Sequence, residues 1–404
     1  MVAPTTKAAP RPTVASDDEY ELEPPVERAA PPTVRRPTTQ PPSEVRGNRD
    51  AIPAPTPSPP AKRRPRWLYL AFLLTLIPLA LQTFASRDDP GERYERMLQN
   101  DPQLVQRIEL LESQADEDFD EDDFFAVLPE GRIAGAHLSH ATWLHWIYAI
   151  IAAVIYVSAV RAAFEPGHST LTQVISALLI TATVGIISLL LFQFVAEITQ
   201  GFIVTGRSVV VVLFYIVKFI GYSYHAADDP SNGFLLSFLG FTCGVGLCEE
   251  LTKLIPAAGL MAQGKSDWRG ACTLGMASGI GFGVAEGIMY SSQYYNGVTS
   301  GDIYLTRFVS CVGLHAVWAA AATITASQRW HAFESNEGSE LLKGALIAVA
   351  VPAVLHGLYD TLLKRDMPVW ALVVAALSFV WLAIVIERAR LLEKPARAGA
   401  FATA

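Results

Sequence analysis

Residues 170–196 read TLTQVISALLITATVGIISLLLFQFVA, 27 positions without one Asp, Glu, Lys or Arg. About 20 apolar residues rising 1.5 Å each cross the hydrocarbon core of a bilayer. The stretch therefore reads as a transmembrane helix. Runs of similar character lie near 67–86, 142–164, 203–223, 233–261, 270–292, 304–327, 341–363 and 368–387, which makes nine with the first. The predicted fold class is all-α, a polytopic transmembrane helical bundle of eight or nine spans.

The distribution of charge supports the same solvent. Only 17% of the 404 residues are charged and 51% are hydrophobic, against roughly 25% charged in an ordinary soluble domain. Residues 1–66 hold 19 of the 70 charged side chains and residues 87–141 hold 20, which leaves 31 for the other 283 residues. That coat is too thin for a cytosolic globular enzyme. A net charge of −8 without a basic patch also excludes nucleic acid as a partner. The lipid bilayer is the partner that composition names.

Positions 1–66 contain 16 of the 26 prolines and few large apolar residues, among them Tyr20 and Leu22. Such a segment cannot bury enough surface to offset its chain entropy, and it reads as a disordered Pro-rich tail. It ends in Lys62, Arg63, Arg64, Pro65 and Arg66, directly before the apolar run 67–86. A cleaved signal peptide would not follow 66 polar residues, so 67–86 is a retained first span. Its basic flank predicts a cytoplasmic N-terminus in an integral, multi-pass membrane protein. The segment 87–141, with the acidic stretch Asp116 to Asp123, is then an extramembrane loop on the other side.

Accessory spans fill 142–232, a catalytic transmembrane core fills 233–390, and 391–404 is a flexible C-terminal tail. Lys265, Arg269, Arg329 and the tail residues Arg388, Arg390, Lys394 and Arg397 all fall inside only if the number of spans is even. The run 203–223 contains Arg207 and Lys218, which makes it the candidate for a re-entrant or interfacial helix. Cys243, Cys248, Cys272 and Cys311 lie in apolar runs without metal-ligand spacing, so they read as small apolar side chains.

Ionisable residues within spans are costly and mark function by default. They concentrate in the C-terminal half. Glu249 and Glu250 precede Lys253 by four and three residues, so on one helix the lysine can pair with either carboxylate. Two carboxylates beside one ammonium take different roles, one ion-paired and the other able to accept a proton from water. The competing reading is a helix end at the interface, with these side chains snorkelling. Gly275, Gly279, Gly283 and Gly287 form a smooth ridge for close helix approach. Glu286 lies at mid-span beside that ridge, with Lys253, a histidine or a metal as its expected partner. His315 lies in a third run. His356 and Asp360, four apart in a fourth, share a helix face near Tyr359.

In order, Glu249-Glu250-x-x-Lys253, Phe282-x-x-x-Glu286, His315 and His356-x-x-x-Asp360 resemble the four motifs of the PrsW family of intramembrane proteases, relatives of the CAAX prenyl endopeptidases. The resemblance covers about 233–365 and is specific because four motifs follow one another on successive spans. It implies hydrolysis of peptide bonds in membrane-protein substrates, with the glutamate pair and the histidines responsible.

On that reading Glu249 is the general base, with Glu250 and Lys253 setting its protonation. His315 and His356 either stabilise the oxyanion or bind a divalent metal such as zinc together with Glu286, and Asp360 orients His356. The chain has no His-Glu-x-x-His sequence, so a thermolysin-like zinc site is not expected. A proton-coupled transporter and an inactive membrane scaffold are the rival functions. The transporter lacks the inverted repeat that would favour it.

Overall fold

The structure is a computed structural model that describes residues 73–85, 89–114, 121–164, 168–264 and 267–400. The Pro-rich tail 1–66, the basic flank Lys62 to Arg66, the start of the first apolar run, part of the acidic stretch and Lys265 lie outside the described residues. Of the described residues 84% are helical, and none is in a strand.

After α1 (Ile77–Phe84) come three short helices, α2 (Pro90–Asn100), α3 (Pro102–Gln114) and α4 (Glu121–Val127). Long helices follow: α5 (Thr142–Ala163), α6 (Leu171–Thr199), α7 (Val209–Asp228), α8 (Phe234–Ala262), α9 (Trp268–Tyr295) and α10 (Gly301–Gln328). The short α11 (Trp330–Phe333) leads to α12 (Gly338–Lys364) and α13 (Pro368–Ala400). Eight of these, α5 to α10, α12 and α13, are long and apolar enough to cross a membrane.

The segment expected as an acidic loop is instead a small helical cap. Asp89 accepts a hydrogen bond from the Gly91 N–H at 2.8 Å, and Asp101 accepts from the Gln103 and Leu104 N–H groups at 3.0 and 3.1 Å. Each aspartate thus caps a helix whose next residue is proline, a residue suited to the first helical turn. Leu104, Ile108, Phe125, Leu128 and Ile133 form the cap's own apolar core. The cap is tied down on residues 296–299: Ile133 N donates to Gly297 O at 2.9 Å, His137 N to Thr299 O at 2.8 Å, and Arg93 Nη2 to Val298 O at 2.7 Å.

Contacts between helix ends fix which face of the bundle each end occupies. His168 meets Asp267 at 2.9 Å, and Arg269 meets Glu393 at 2.6 Å. The starts of α6 and α9 and the end of the apolar part of α13 therefore share one face. The cap, the start of α5 and the end of α9 share the opposite face. Lys364 donates to Ala227 O at 2.8 Å and Arg365 to Ser237 Oγ at 2.8 Å, which brings the ends of α12 and α7 and the start of α8 to the cap face.

The first half of α7 is tied there as well. Tyr215 Oη donates to Val204 O at 3.0 Å and Lys218 Nζ to Phe202 O at 2.6 Å, just beyond the end of α6. With both parts of α7 anchored to one face, the helix lies against that face and does not pass through the bundle. Its length and hydropathy alone would have made it a span.

The centre of the bundle is the α9–α10 pair, whose most apolar windows are 78% and 83% buried. A Cβ on Gly279 would lie 2.2 Å from the His315 carbonyl oxygen, and one on Gly283 would lie 2.9 Å from Val312 Cα. The glycine ridge therefore presses backbone against backbone, which larger side chains would prevent.

Candidate active site

Four helices bring the motif residues to one cluster. On α8 a π-helical turn, Phe241–Gly246, runs into Glu249, Glu250 and Lys253. The Ser278 hydroxyl of α9 donates to the Lys253 carbonyl at 2.6 Å and lies 2.7 Å from Thr181 Oγ1 of α6, so the backbone of the motif is pinned from two neighbours. Glycines on α9 let α10 approach until His315 stands beside Phe282, with ring centroids 5.2 Å apart. His356 on α12 lies one turn after Pro352 and stacks on Trp318 of α10 at 4.3 Å.

Lys253 is fully buried and forms the hub. Its Nζ donates to Glu250 Oε1 at 2.7 Å, to His315 Nδ1 at 2.8 Å and, more loosely, to Glu249 Oε2 at 3.4 Å. It also sits 4.3 Å from the centroid of Phe282, whose ring face suits a cation. Glu250 is completely enclosed and receives a second partner, His356 Nδ1, at 3.1 Å. Its other oxygen, Oε2, has no hydrogen-bond partner. Glu249 is held less closely, with Oε2 3.7 Å from His356 Nε2. Asp360 Oδ2 lies 3.4 Å from that same nitrogen.

Glu286 finds a histidine, as the sequence allowed, but its other partner is Arg307 and not Lys253. Arg307 Nη2 lies 2.7 Å from Glu286 Oε1, while His315 Nε2 lies 2.6 Å from Glu286 Oε2. Sequence reasoning passed over Arg307. The available signal was an arginine within the apolar run 304–327, the same kind of signal that singled out Glu286.

Both neighbours of His315 dictate one tautomer. An ammonium at Nδ1 requires an acceptor there, and a carboxylate at Nε2 requires a donor. These neighbours favour the Nε2–H tautomer of His315, with Glu286 Oε2 close to Nε2 but outside hydrogen-bond alignment. His356 is held comparably at Nδ1 by Glu250, which turns Nε2 toward Glu249 and Asp360.

One donor atom each from Glu249, His315 and His356 lies within 4.8 Å of the others. The trio has Glu249 where the sequence suggested Glu286, whose two oxygens face Arg307 and His315 Nε2. Two imidazoles and a carboxylate form a donor set of catalytic zinc sites. Each imidazole is also oriented through its second nitrogen by a carboxylate outside the trio, the usual support of metal-ligating histidines. Among the described residues four carboxylates here face only two fixed cations, Lys253 and Arg307, and Glu250 Oε2 and Glu286 Oε2 are both buried acceptors without a hydrogen-bond partner. Glu249, His315 and His356 are thus a candidate site for a divalent cation, at which the Lys253 ammonium, 2.8 Å from His315 Nδ1, would have to turn away for that nitrogen to ligate.

The site lies in the half of the bundle nearest the cap. Asp360 is about one turn from the end of α12, and Arg307 is about two turns from the start of α10. Comparison with curated proteins and with solved structures gives no match. A family model described as PrsW family intramembrane metalloprotease matches residues 174–386. That segment is more than half of the chain and carries all four motifs, and the protein belongs to the PrsW family.

Proposed function

We propose that the protein hydrolyses peptide bonds of membrane-associated protein substrates, using a water activated by Glu249. One observation carries the division of labour between the two glutamates. Glu250 is sealed and fixed by two close donors, Lys253 and His356, whereas Glu249 keeps only contacts of 3.4 and 3.7 Å. A carboxylate held so loosely can accept a hydrogen bond from water and take its proton. One held as Glu250 is cannot, and its work is to anchor Lys253 and orient His356.

Glu249 removes a proton as the water oxygen adds to the scissile carbonyl carbon. The oxyanion that forms is stabilised by the Lys253 ammonium at the centre of the cluster, which His315 holds in place through Nδ1. Protonated Glu249 then returns the proton to the leaving amine nitrogen as the C–N bond breaks. Asp360 steadies His356 at Nε2. Glu249, His315 and His356 are the residues that would hold a divalent metal such as zinc, which when bound acidifies its water and polarises the carbonyl.

The first apolar run with the seven crossings of α5, α6, α8, α9, α10, α12 and α13 gives an even number. The N-terminal tail and the C-terminus then share the cytoplasmic side with Arg269 and Arg329, and the cap lies on the other. Within this topology, 1–66 is a tail and 233–390 is the catalytic core; the C-terminal tail expected over 391–404 is shortened by α13, which continues to Ala400.

The reading is tested with purified protein in liposomes and membrane-tethered peptides, with and without chelator. Cleavage lost in Glu249→Gln at unchanged folded yield is the expected result. Cleavage at the wild-type rate in that variant would remove Glu249 from the base's role.

A further inference from the structure

Arg307 lies outside all four motifs, yet it is bound into the site they form. It sits in a π-helical turn, Thr306–Cys311, that interrupts α10 two turns before His315. Wide turns of this kind recur at functional sites because they re-aim side chains. This one directs Arg307 across to α9, where Nη2 meets Glu286 Oε1 at 2.7 Å and the guanidinium lies 4.0 Å from the Tyr290 ring centroid. Its side chain is 13% exposed and that of Glu286 is 16% exposed, so little water competes for the pair.

Glu286 has two oxygens and two partners. Arg307 takes Oε1 and His315 Nε2 takes Oε2. Both are close ion-pair contacts without hydrogen-bond alignment, so it is the charge of the arginine that holds one end of the carboxylate while the other end stands against the imidazole. The result is a relay of orientation, Arg307 to Glu286 to His315, that leaves the His315 Nδ1 lone pair facing Lys253 and the glutamate pair. We propose that Arg307 is a positioning residue for proteolysis, acting through Glu286 to hold the ring of His315 in its Nε2–H orientation. This rests on the proposed use of the cluster as the protease site.

Arg307→Gln keeps much of the side-chain length and removes the charge. A partner that orients a functional histidine is worth about 10–100-fold. Arg307→Gln is expected to lower kcat by about that factor with KM within about twofold, and Arg307→Lys, which keeps the charge and loses the planar fork, should fall between. Glu286→Gln should cost at least as much as Arg307→Gln. The double variant should be no slower than Glu286→Gln alone, since residues acting in series do not add.

The second readout does not depend on turnover. Nitrogen-15 histidine spectra of the full-length protein should show the His315 Nε2–H signal, assigned by its loss in His315→Asn, and that signal should shift or broaden in Arg307→Gln. Multiplying losses in the double variant, or a change in KM alone, would mean that Arg307 meets the substrate directly and would overturn the proposal. An unchanged His315 signal in Arg307→Gln would overturn it too. Absence of cleavage by the wild type would instead reject the proteolytic reading, while the spectrum still decides whether Arg307 sets His315.

Discussion

Lys253 and Glu250 are sealed together: three residues apart on α8, they meet at 2.7 Å with no exposure of either side chain. Such a pair contributes little net stability compared with apolar residues, but breaking it leaves a buried charge without its partner. Lys253→Met is therefore expected to destabilise the protein by about 3–5 kcal/mol, read as loss of folded protein in detergent and a lowered Tm. Adding Glu250→Gln should recover part of that stability and none of the activity. A double variant as unstable as Lys253→Met alone would mean that the lysine's worth lies elsewhere.

Glu249→Gln should behave differently. The side chain keeps its volume and its contacts are long, so Tm should stay within a few degrees of the wild type while turnover falls by about 10²–10⁴-fold. The paired measurement of melting temperature and peptide cleavage separates the two glutamates: Glu250→Gln loses both stability and activity, Glu249→Gln only activity.

The glycine ridge gives a prediction about assembly of the site. At Gly279 an added methyl would meet the His315 carbonyl oxygen at 2.2 Å, with backbone on both sides and no flexible side chain to yield. Gly279→Ala must push α10 away from α9 and carry His315 off Glu286. Overpacking of this kind costs about 1–3 kcal/mol. Cleavage should drop further than the stability loss explains. Gly259, where a Cβ meets no atom within 4 Å, is the control, and Gly259→Ala should leave both unchanged.

Much of this site is legible in the sequence because burying charge in lipid is so unfavourable. Glu249, Glu250, Lys253, Glu286, His315, His356 and Asp360 stand out against apolar runs, and helical spacing alone pairs Lys253 with the glutamates and His356 with Asp360. Which carboxylate meets which cation across helices is not a matter of spacing. The Arg307–Glu286 pair depends on a π-helical turn and on the depth to which the Gly275–Gly287 ridge admits α10. The cap was hidden for a different reason. The acidity of 87–141 drew attention from its two Asp-Pro helix starts, at Asp89-Pro90 and Asp101-Pro102, and from the apolar pair Leu104 and Ile108 that buries one face.

The tail 1–66 has none of the motif residues and lies before the matched family segment. Deleting residues 1–60 is expected to leave cleavage of a generic membrane-tethered peptide within about twofold of the full chain, as kcat/KM in liposomes. A correctly inserted truncation that cannot cut would assign the tail to the catalytic unit.

The most exacting prediction concerns α7, because hydropathy and contacts give different answers for it. Twenty residues, Val209–Asp228, with a mean hydropathy of 1.6 in their most apolar window would ordinarily be counted as a span. If α7 crossed, the loops on its two sides would lie on opposite faces, and the parity of every later helix would reverse. The end of α9 could then not reach the cap, although Ile133 N donates to Gly297 O and His137 N to Thr299 O. Single cysteines at 134, 205, 231, 263 and 336, in a chain whose four native cysteines are replaced, read the two faces directly. Positions 134, 205 and 231 should react with an impermeant thiol reagent from one side, and 263 and 336 only from the other. By the placement of Arg269 and Arg329 the second side is cytoplasmic, so intact cells should label the first three alone. Opposite labelling of 205 and 231 would make α7 a true span and would detach the cap from the loop between Glu286 and Arg307.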